Sequence, residues 1–408
     1  MSISSKSVRT IIYRALAVVL IVIMGVSLFS LLLLAGNKGR GPLESLVGSI
    51  GSQVASFEKR MINGDSRASR SAALGWFKPY RENKLFLNNT DTLLIGAYDN
   101  NTVESYERIV SLEDSMGLKL PIIQFYTAWG SKKEQVFPML RAQAISDLGS
   151  IALITWEPWL NDFDPESFPS ASSPDQANVG GLKAIASGKY DAYLDKWAQD
   201  AKAYGKPFFL RFGHEMNDPY RYPWGPQNNK PEDFIAAWRH VVGRFRAHNA
   251  TNAVWVWSPH PAYANYAEFY PGHGYVDWIG TTALNYGTVA PWSKWYSFEE
   301  TLGKAYSELS LYSKPLMVSE MGSLSVGGDR ATWFREALTA LPVKFPAVKA
   351  VVFFNNSQDI TTTYKALDWS FNADPGVLAA ITQSLKGWKQ PKLSAPKQPL
   401  AKAPAPGS

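Results

Sequence analysis

Eight short apolar runs, helical periodicity between several of them, and polar residues bunched directly after the fourth and seventh runs predict an α/β protein. The architecture they point to is a (β/α)8 TIM barrel preceded by one N-terminal transmembrane helix. The runs are Thr92–Tyr98, Pro121–Trp129, Ile151–Trp156, Pro207–Phe212, Ala253–Ser258, Val276–Leu284, Pro315–Ser319 and Val348–Phe354. Most are nearly continuous in apolar character, as parallel strands buried on both faces should be. Helical spacing of apolar residues fills Val103–Met116, Tyr190–Tyr204, Pro231–His248 and Phe298–Tyr312. A doubly wound open sheet is the alternative, but no glycine-rich nucleotide loop accompanies these strands.

The flanks of the chain differ from its body. Ala15 to Asn37 carries no charge, and Ala15–Ala35 is almost wholly apolar. At 1.5 Å per residue it covers roughly 30 Å, the thickness of one bilayer core. Leu31–Leu34 followed by Ala35, Gly36 and Asn37 makes a poor cleavage site, which favours an uncleaved anchor over a signal peptide. Lys6, Arg9 and Arg14 precede the span, so the positive-inside bias places the body outside the cytoplasm. This predicts residues 1–37 as a cytoplasmic stub and anchor, at a bacterial inner membrane.

Residues 38–89 read as a juxtamembrane helix and linker. Leu43, Val47, Ile50, Val54, Phe57 and Met61 form a short a/d seam, and 63–75 are small and polar. The barrel is expected over 90–388. Residues 389–408 hold five Pro among Lys, Ala and Ser and read as a disordered tail.

Charge and composition remove several classes of function. The net charge is +6, but residues 1–40 hold five basic residues and 389–408 hold four, with no acid in either. The body between them is therefore mildly acidic, which excludes a nucleic-acid partner. The chain has no cysteine, so thiol nucleophiles, iron–sulfur clusters and Cys-ligated zinc are excluded. No P-loop, dinucleotide fingerprint or G-x-S-x-G elbow occurs. His214-Glu215 invites a zinc-protease assignment, but the second histidine should stand at position 218, which is Asp218. The 15 Trp residues allow either a large aromatic core or a cleft paved with indoles that stack on sugars.

The chemistry that remains is a pair of carboxyls. The fourth run leads into Arg211, His214, Glu215 and Asn217, and the seventh into Ser319 and Glu320. Strands 4 and 7 of an eight-strand barrel face each other across the mouth, so Glu215 and Glu320 can flank one bond. Glycoside cleavage needs that pairing: one carboxyl protonated for the leaving oxygen, the other ionised to attack carbon or activate water. Strand alternation puts Arg211 and Glu215 on one face, where Arg211 can sit beneath the carboxyls and favour their charged form, or serve as a structural ion pair.

The motifs resemble one family in particular. PFFLRFGHEMNDPYRYPWG (207–225) resembles the strand-4 motif of glycoside hydrolase family 26, and PLMVSEMGS (315–323) resembles its strand-7 motif. VDWIGTTALNYG (276–287) and VVFFNNSQDI (351–360) followed by Asp368-Trp369 resemble its strand-6 and strand-8 segments, in the right order. The resemblance spans roughly 90–388.

It implies a retaining mechanism with Glu215 as acid/base and Glu320 as nucleophile. It also implies that Tyr286 hydrogen-bonds the nucleophile, that His214 contacts the sugar or orients Glu215, and that Trp224 is a stacking platform. Trp129, Trp156 and Trp257, at the ends of strands 2, 3 and 5, are further candidates for the cleft. Asn217, Asn285 and Asn355 are candidates for sugar hydroxyls, although asparagine is often structural in turns. Phe354-Asn355 stands where mannan-cleaving members tend to carry Trp-Arg, a departure that moves the expected substrate from mannan towards β-glucans.

The expected function is a retaining endo-β-glycosidase on a β-linked polysaccharide, β-mannan or β-1,3/1,4-glucan in type, with no metal or organic cofactor. A polysaccharide-binding barrel without turnover and a transglycosylase are the alternatives. The anchor suggests action on a polymer that the cell exports. Oligomeric state is left open.

Overall fold

The computed structural model describes residues 70–100, 106–171, 177–360 and 366–388. The apolar span at 15–35, the seam at 43–61 and the tail at 389–408 lie outside the described residues. Among the described residues no helix is long and apolar enough to cross a membrane.

Eight parallel strands close into a barrel in sequence order. They are β1 (Leu94–Asp99), β2 (Ile122–Ala128), β3 (Ile151–Glu157), β4 (Phe208–Phe212), β5 (Ala253–Trp257), β6 (Trp278–Asn285), β7 (Leu316–Ser323) and β8 (Val348–Asn355). Each falls within a few residues of its expected run. Helices α1 (Lys78–Glu82) and α2 (Lys84–Asn88) precede β1. The larger helices between strands are α3 (Glu107–Met116), α4 (Met139–Asp147), α5 (Gly181–Ala186), α6 (Asp191–Tyr204), α7 (Pro231–Ala247), α8 (Phe298–Leu309) and α9 (Arg330–Lys344), and α10 (Pro375–Leu385) follows β8.

Alternation along the strands divides the core in two. In β4, Phe208 and Leu210 face outward to the helices, whereas Phe209 and Arg211 face the barrel interior. The outer layer holds most of the apolar mass, including Trp197, Trp238 and Trp333. The inner layer holds Leu94, Ile122, Ile151, Leu153, Phe209, Val254, Val256, Trp278, Met317 and Val352 at the amino-terminal end of the barrel.

That end is closed by a plug, the segment around residues 70–89, expected to be linker. Leu74, Phe77, Tyr80 and Leu87 are buried against the inner layer, with Phe77 and Tyr80 stacked at 5.9 Å. Lys84 bonds the Ala253 carbonyl at 2.6 Å and pairs with Asp277 at 2.7 Å. Residues 74–87 therefore pack as part of the barrel body, ahead of the expected start at 90. The short helices escaped notice because each is a single turn or so, below the length at which helical periodicity can be read.

Three tryptophans also move from their expected place. Trp129, Trp156 and Trp257 are fully buried between the barrel and its helices, not in the cleft. Trp156 stacks on Trp197 of α6 at 4.2 Å, Trp129 on Phe212 at 5.4 Å, and Trp257 meets Tyr270 at 5.1 Å. For Trp156 the reason is parity: Thr155 beside it points inward, so the indole points out. The abundance of tryptophan mostly builds core.

Candidate active site

The mouth of the barrel gathers Glu215 and Glu320 with two arginines. Beyond β4 the chain turns sharply: Gly213 and Glu215 both have positive φ, +50° and +53°. Glycine takes that conformation freely, whereas a glutamate takes it at a cost of about 1–2 kcal/mol. The Glu215 N–H donating to the Ser258 carbonyl at 2.7 Å and the Asp218 N–H donating to the Glu215 carbonyl at 2.9 Å hold the turn. Such strain at a cleft residue marks a side chain aimed by its backbone.

Strand β7 aims Glu320 by a different device. Its register against β6 slips, so that Thr281 faces Val318 and Thr282 faces Glu320, with Ser319 left over. A regular strand would send Ser319 and Glu320 to opposite faces. The bulge lets both meet the same guanidinium. Arg211 Nη1 donates to Ser319 Oγ at 3.0 Å, and Nη2 donates to Glu320 Oε1 at 2.5 Å. Arg211 Nε donates to Thr155 Oγ1 at 3.0 Å. Arg211 thus sits beneath the nucleophile candidate, as alternation implied, and is wholly buried.

The phenol on Glu320 is not the expected one. Tyr126 of β2 donates to Glu320 Oε1 at 2.7 Å. Tyr286 instead packs edge-on against Trp369 at 4.9 Å and faces Arg221 and Glu215. Tyr126 was legible in principle, since Gln124 and Tyr126 share the inward face of strand 2. Both donors to Glu320 land on Oε1, and among the described residues none reaches Oε2.

Glu215 is held on both oxygens. Thr282 Oγ1 donates to Oε1 at 3.2 Å, and Arg221 Nη1 donates to Oε2 at 2.9 Å. Burial pushes both carboxyls above the ordinary carboxylate range, and each is pulled back by an arginine: Glu215 by Arg221, Glu320 by Arg211. Glu215 is also close enough to discourage the charge of Glu320, and Asp218 that of Glu215. Arg211 is fully buried and needs its counter-ion, which favours the charged form of Glu320.

A third carboxyl joins them. Glu157 ends β3 two residues beyond inward-facing Thr155, so it stands on the cleft side of the rim. Trp159 Nε1 donates to it at 3.1 Å, and burial raises its pKa to about 7.

The other expected site residues make contacts within the protein, although His214 Nδ1 has no partner among the described residues. His214 is buried, shares a hydrogen bond with the Tyr222 hydroxyl at 3.1 Å, and has its pKa pushed well down by burial, so it is a neutral imidazole. Trp224 donates to the His214 carbonyl at 2.7 Å and stacks on Tyr222 at 4.6 Å, which leaves only 3% of it exposed. It braces the turn instead of offering a free platform. Asn217 bonds His260 and Tyr263 backbone groups, Asn285 bonds Ser323 and the Gly287 and Tyr296 amides, and Asn355 bonds Asp99 and the Phe371 amide. All three amides are occupied by protein partners.

The aromatic side of the cleft is different again. Tyr98 stacks on Phe354 at 5.4 Å beside Tyr126, Tyr286 and Trp369. Trp292 is 58% exposed and stands 6.3 Å from Tyr286, an open indole at the rim.

Glu215, Asp218 and His260 bring ligand atoms within 4.8 Å of one another. Arg221 lies 3.7 Å from Asp218 and on Glu215, so the positive charge at this cluster is already supplied by the chain.

A closed (β/α)8 barrel with buried carboxyls just after β4 and near the end of β7, one of them paired to an interior arginine, has the layout of a glycoside hydrolase. The comparisons agree. The model for glycosyl hydrolase family 26 matches residues 163–311. Endoglucanase H of Acetivibrio thermocellus is 35% identical over 308 residues, covering 73% of this chain and 31% of that protein. Beta-1,3-xylanase TXYA of a Vibrio species is 29% identical over 147 residues, covering 35% of this chain and 29% of that protein. The chain thus spans under a third of the length of either relative.

Among solved structures, GH26C from Muricauda overlaps with a TM-score of 0.53 at 17% identity, covering 78% of this chain and 89% of that one. A GH26 β-mannanase from Bacteroides ovatus overlaps with a TM-score of 0.52 at 18% identity, covering 74% and 92%. These likenesses concern the fold. The chain belongs to glycosyl hydrolase family 26.

Proposed function

We propose that the chain hydrolyses a β-linked polysaccharide, of β-1,3/1,4-glucan or β-mannan type, by double displacement. One observation carries this: among the described residues Glu320 is bonded through Oε1 alone, which leaves Oε2 without a donor and free to attack, in a site that also holds the second buried carboxyl, Glu215.

In the first step Glu320 Oε2 attacks the anomeric carbon, the glycosidic C–O bond breaks, and the Glu215 proton goes to the leaving oxygen. In the second step water attacks the same carbon, its proton passes to Glu215, and the Glu320 ester bond breaks. Arg211 and Tyr126 stabilise Glu320 as it regains charge.

Phe354-Asn355 at the end of β8, where mannan-cleaving members of the family tend to carry Trp-Arg, favours a β-glucan over mannan. The name of the Acetivibrio relative points the same way. We also propose, from the apolar run at 15–35, that the chain is anchored with its barrel outside the cytoplasm. Fractionation of cells should recover it with membranes, and recovery in the soluble fraction would contradict the anchor.

The test of function is release of reducing ends by the full chain from mannan, glucomannan, mixed-linkage β-glucan, β-1,3-xylan and cellulose, with the product anomer followed by NMR. Cleavage with retained β-configuration on one polymer supports the proposal. First appearance of the α-anomer, or binding without any product, contradicts it.

A further inference from the structure

Glu215 carries a contact that a general acid does not need. An acid must hold a proton and aim it at the leaving oxygen. A carboxylate pinned by a guanidinium does neither, because an opposite charge within about 4–6 Å favours the ionised form. Yet Arg221 Nη1 sits on Glu215 Oε2 at 2.9 Å.

Arg221 also has a second seat. Its Nε lies 3.7 Å from Asp218 Oδ2, three residues back on the same loop. Asp218 is buried, and its Oδ1 accepts the Tyr220 N–H at 2.8 Å, so it is a fixed anchor. The Arg221 side chain is 17% exposed, so it is not sealed in the core, and it lies over the Tyr222 ring at 5.9 Å and beside Tyr286.

We propose that Arg221 is a positioning residue that sets the protonation state of Glu215 by dividing itself between Glu215 and Asp218, and that a sugar entering on the leaving-group side moves it towards Asp218. The proposal rests on the acid/base assignment of Glu215 above. With Arg221 on Glu215, the residue is a carboxylate, the form that accepts a proton from water in the second step. With Arg221 on Asp218, Oε2 is vacated, Glu215 takes up a proton from solvent, and that proton faces the glycosidic oxygen. No bond beyond those of the two steps is made or broken.

The other groups around Glu215 do not offer this freedom. Arg211 of β4 is committed to Glu320 of β7. His260, after β5, is lowered to about 4 by burial and is neutral at pH 7. Thr282 of β6 is uncharged, and burial raises the Tyr286 phenol beyond its ordinary value, so it too stays uncharged.

The experiment uses the full chain and two readouts. The first is the pH dependence of kcat/KM, on whichever polymer is cleaved and on a dinitrophenyl β-glycoside, whose leaving group departs without a proton. The second is the 13C titration of the Glu215 carboxyl, assigned by its loss in Glu215→Gln.

Arg221→Met should move the alkaline limb on polymer and the carboxyl titration up by at least about one pH unit. Asp218→Asn should move both down, because it removes the alternative seat and a neighbouring negative charge. Arg221→Lys, which keeps the charge, should stay close to wild type. On the dinitrophenyl substrate the alkaline limb should be absent from all four proteins. An unmoved limb and titration in Arg221→Met, or shifts of the same sign in Arg221→Met and Asp218→Asn, would overturn the proposal. If the titrations move as stated while no β-glycan is cleaved, the pairing stands and the glycosidase assignment falls.

Discussion

Arg70–Glu113 at the amino-terminal end of the barrel and Arg211–Glu320 at its mouth are the same two side chains, buried to nearly the same degree and 2.5 Å apart in each case. Their surroundings differ. Glu113 receives Arg70 Nε on both oxygens, Arg70 Nη2 and the Leu120 N–H on Oε1, and Lys119 at 3.7 Å from Oε2. Arg70 in turn donates to the carbonyls of Leu148 and Leu120 and to Ser150 Oγ. That pair is saturated. Glu320 is bonded on one oxygen, and its position beside Glu215 raises the cost of its charge. A saturated pair locks the plug to the barrel, whereas a half-saturated pair leaves a lone pair with work still to do.

The comparison can be broken by exchanging the consequences. Glu320→Gln should lower turnover per folded molecule by on the order of 10⁴-fold, measured by reducing-end assay. Glu113→Gln should leave turnover per folded molecule unchanged. Each variant leaves a buried arginine uncompensated, so both should lose stability in urea titrations, by about 3–5 kcal/mol where the pair is broken outright. Turnover per folded molecule lost in Glu113→Gln, or kept in Glu320→Gln, would erase the distinction.

Smaller changes sharpen it. Tyr126→Phe removes one of the two donors on Glu320, so kcat should fall roughly 10- to 100-fold. The acid limb of kcat/KM should also move to higher pH, since the carboxylate has lost a stabilising donor.

Glu157→Gln tests the third carboxyl through stability. Its pKa of about 7 in the folded protein lies above the unfolded value of about 4.5, so the folded state binds the extra proton between those values. Glu157 therefore supports the fold below pH 4.5, and that support is lost as pH rises towards 7. The variant should gain more in melting temperature at pH 8 than at pH 5. An equal change at both would place the Glu157 titration elsewhere. The smallest effect is expected from Trp292→Ala, a several-fold rise in KM with kcat unchanged, because stacking at an open rim contributes about 1 kcal/mol.

All eight strands were legible because each is a short apolar run bounded by polar turns, and Glu215 and Glu320 followed from their places just after two of them. What could not be read depended on direction and register. The outward turn of Trp156 is a matter of strand parity that only the inward contact of Thr155 settles. The meeting of Ser319 and Glu320 on one arginine needs a bulge that no residue type announces. Tyr126 and Glu157 were within reach of alternation on β2 and β3, but their partners lie 194 and 2 residues away, and only folding shows which of them faces the carboxyls. Arg221 lay inside the quoted motif, yet its role depends on the left-handed turn at Glu215 that brings the loop back over the site. The plug was missed for the opposite reason: its helices are too short to carry a period.

The most direct measurement of the central claim is the mass of the full chain after incubation with dinitrophenyl 2-deoxy-2-fluoro-β-cellobioside, followed by peptide mapping. The fluorine slows both steps and the good dinitrophenolate leaving group speeds only the first, so a covalent intermediate accumulates. The account predicts a gain of one fluorocellobiosyl group on the peptide that contains Glu320, absent in Glu320→Gln. An adduct on Glu215 or Glu157, or release of dinitrophenol at wild-type rate from Glu320→Gln, would contradict it.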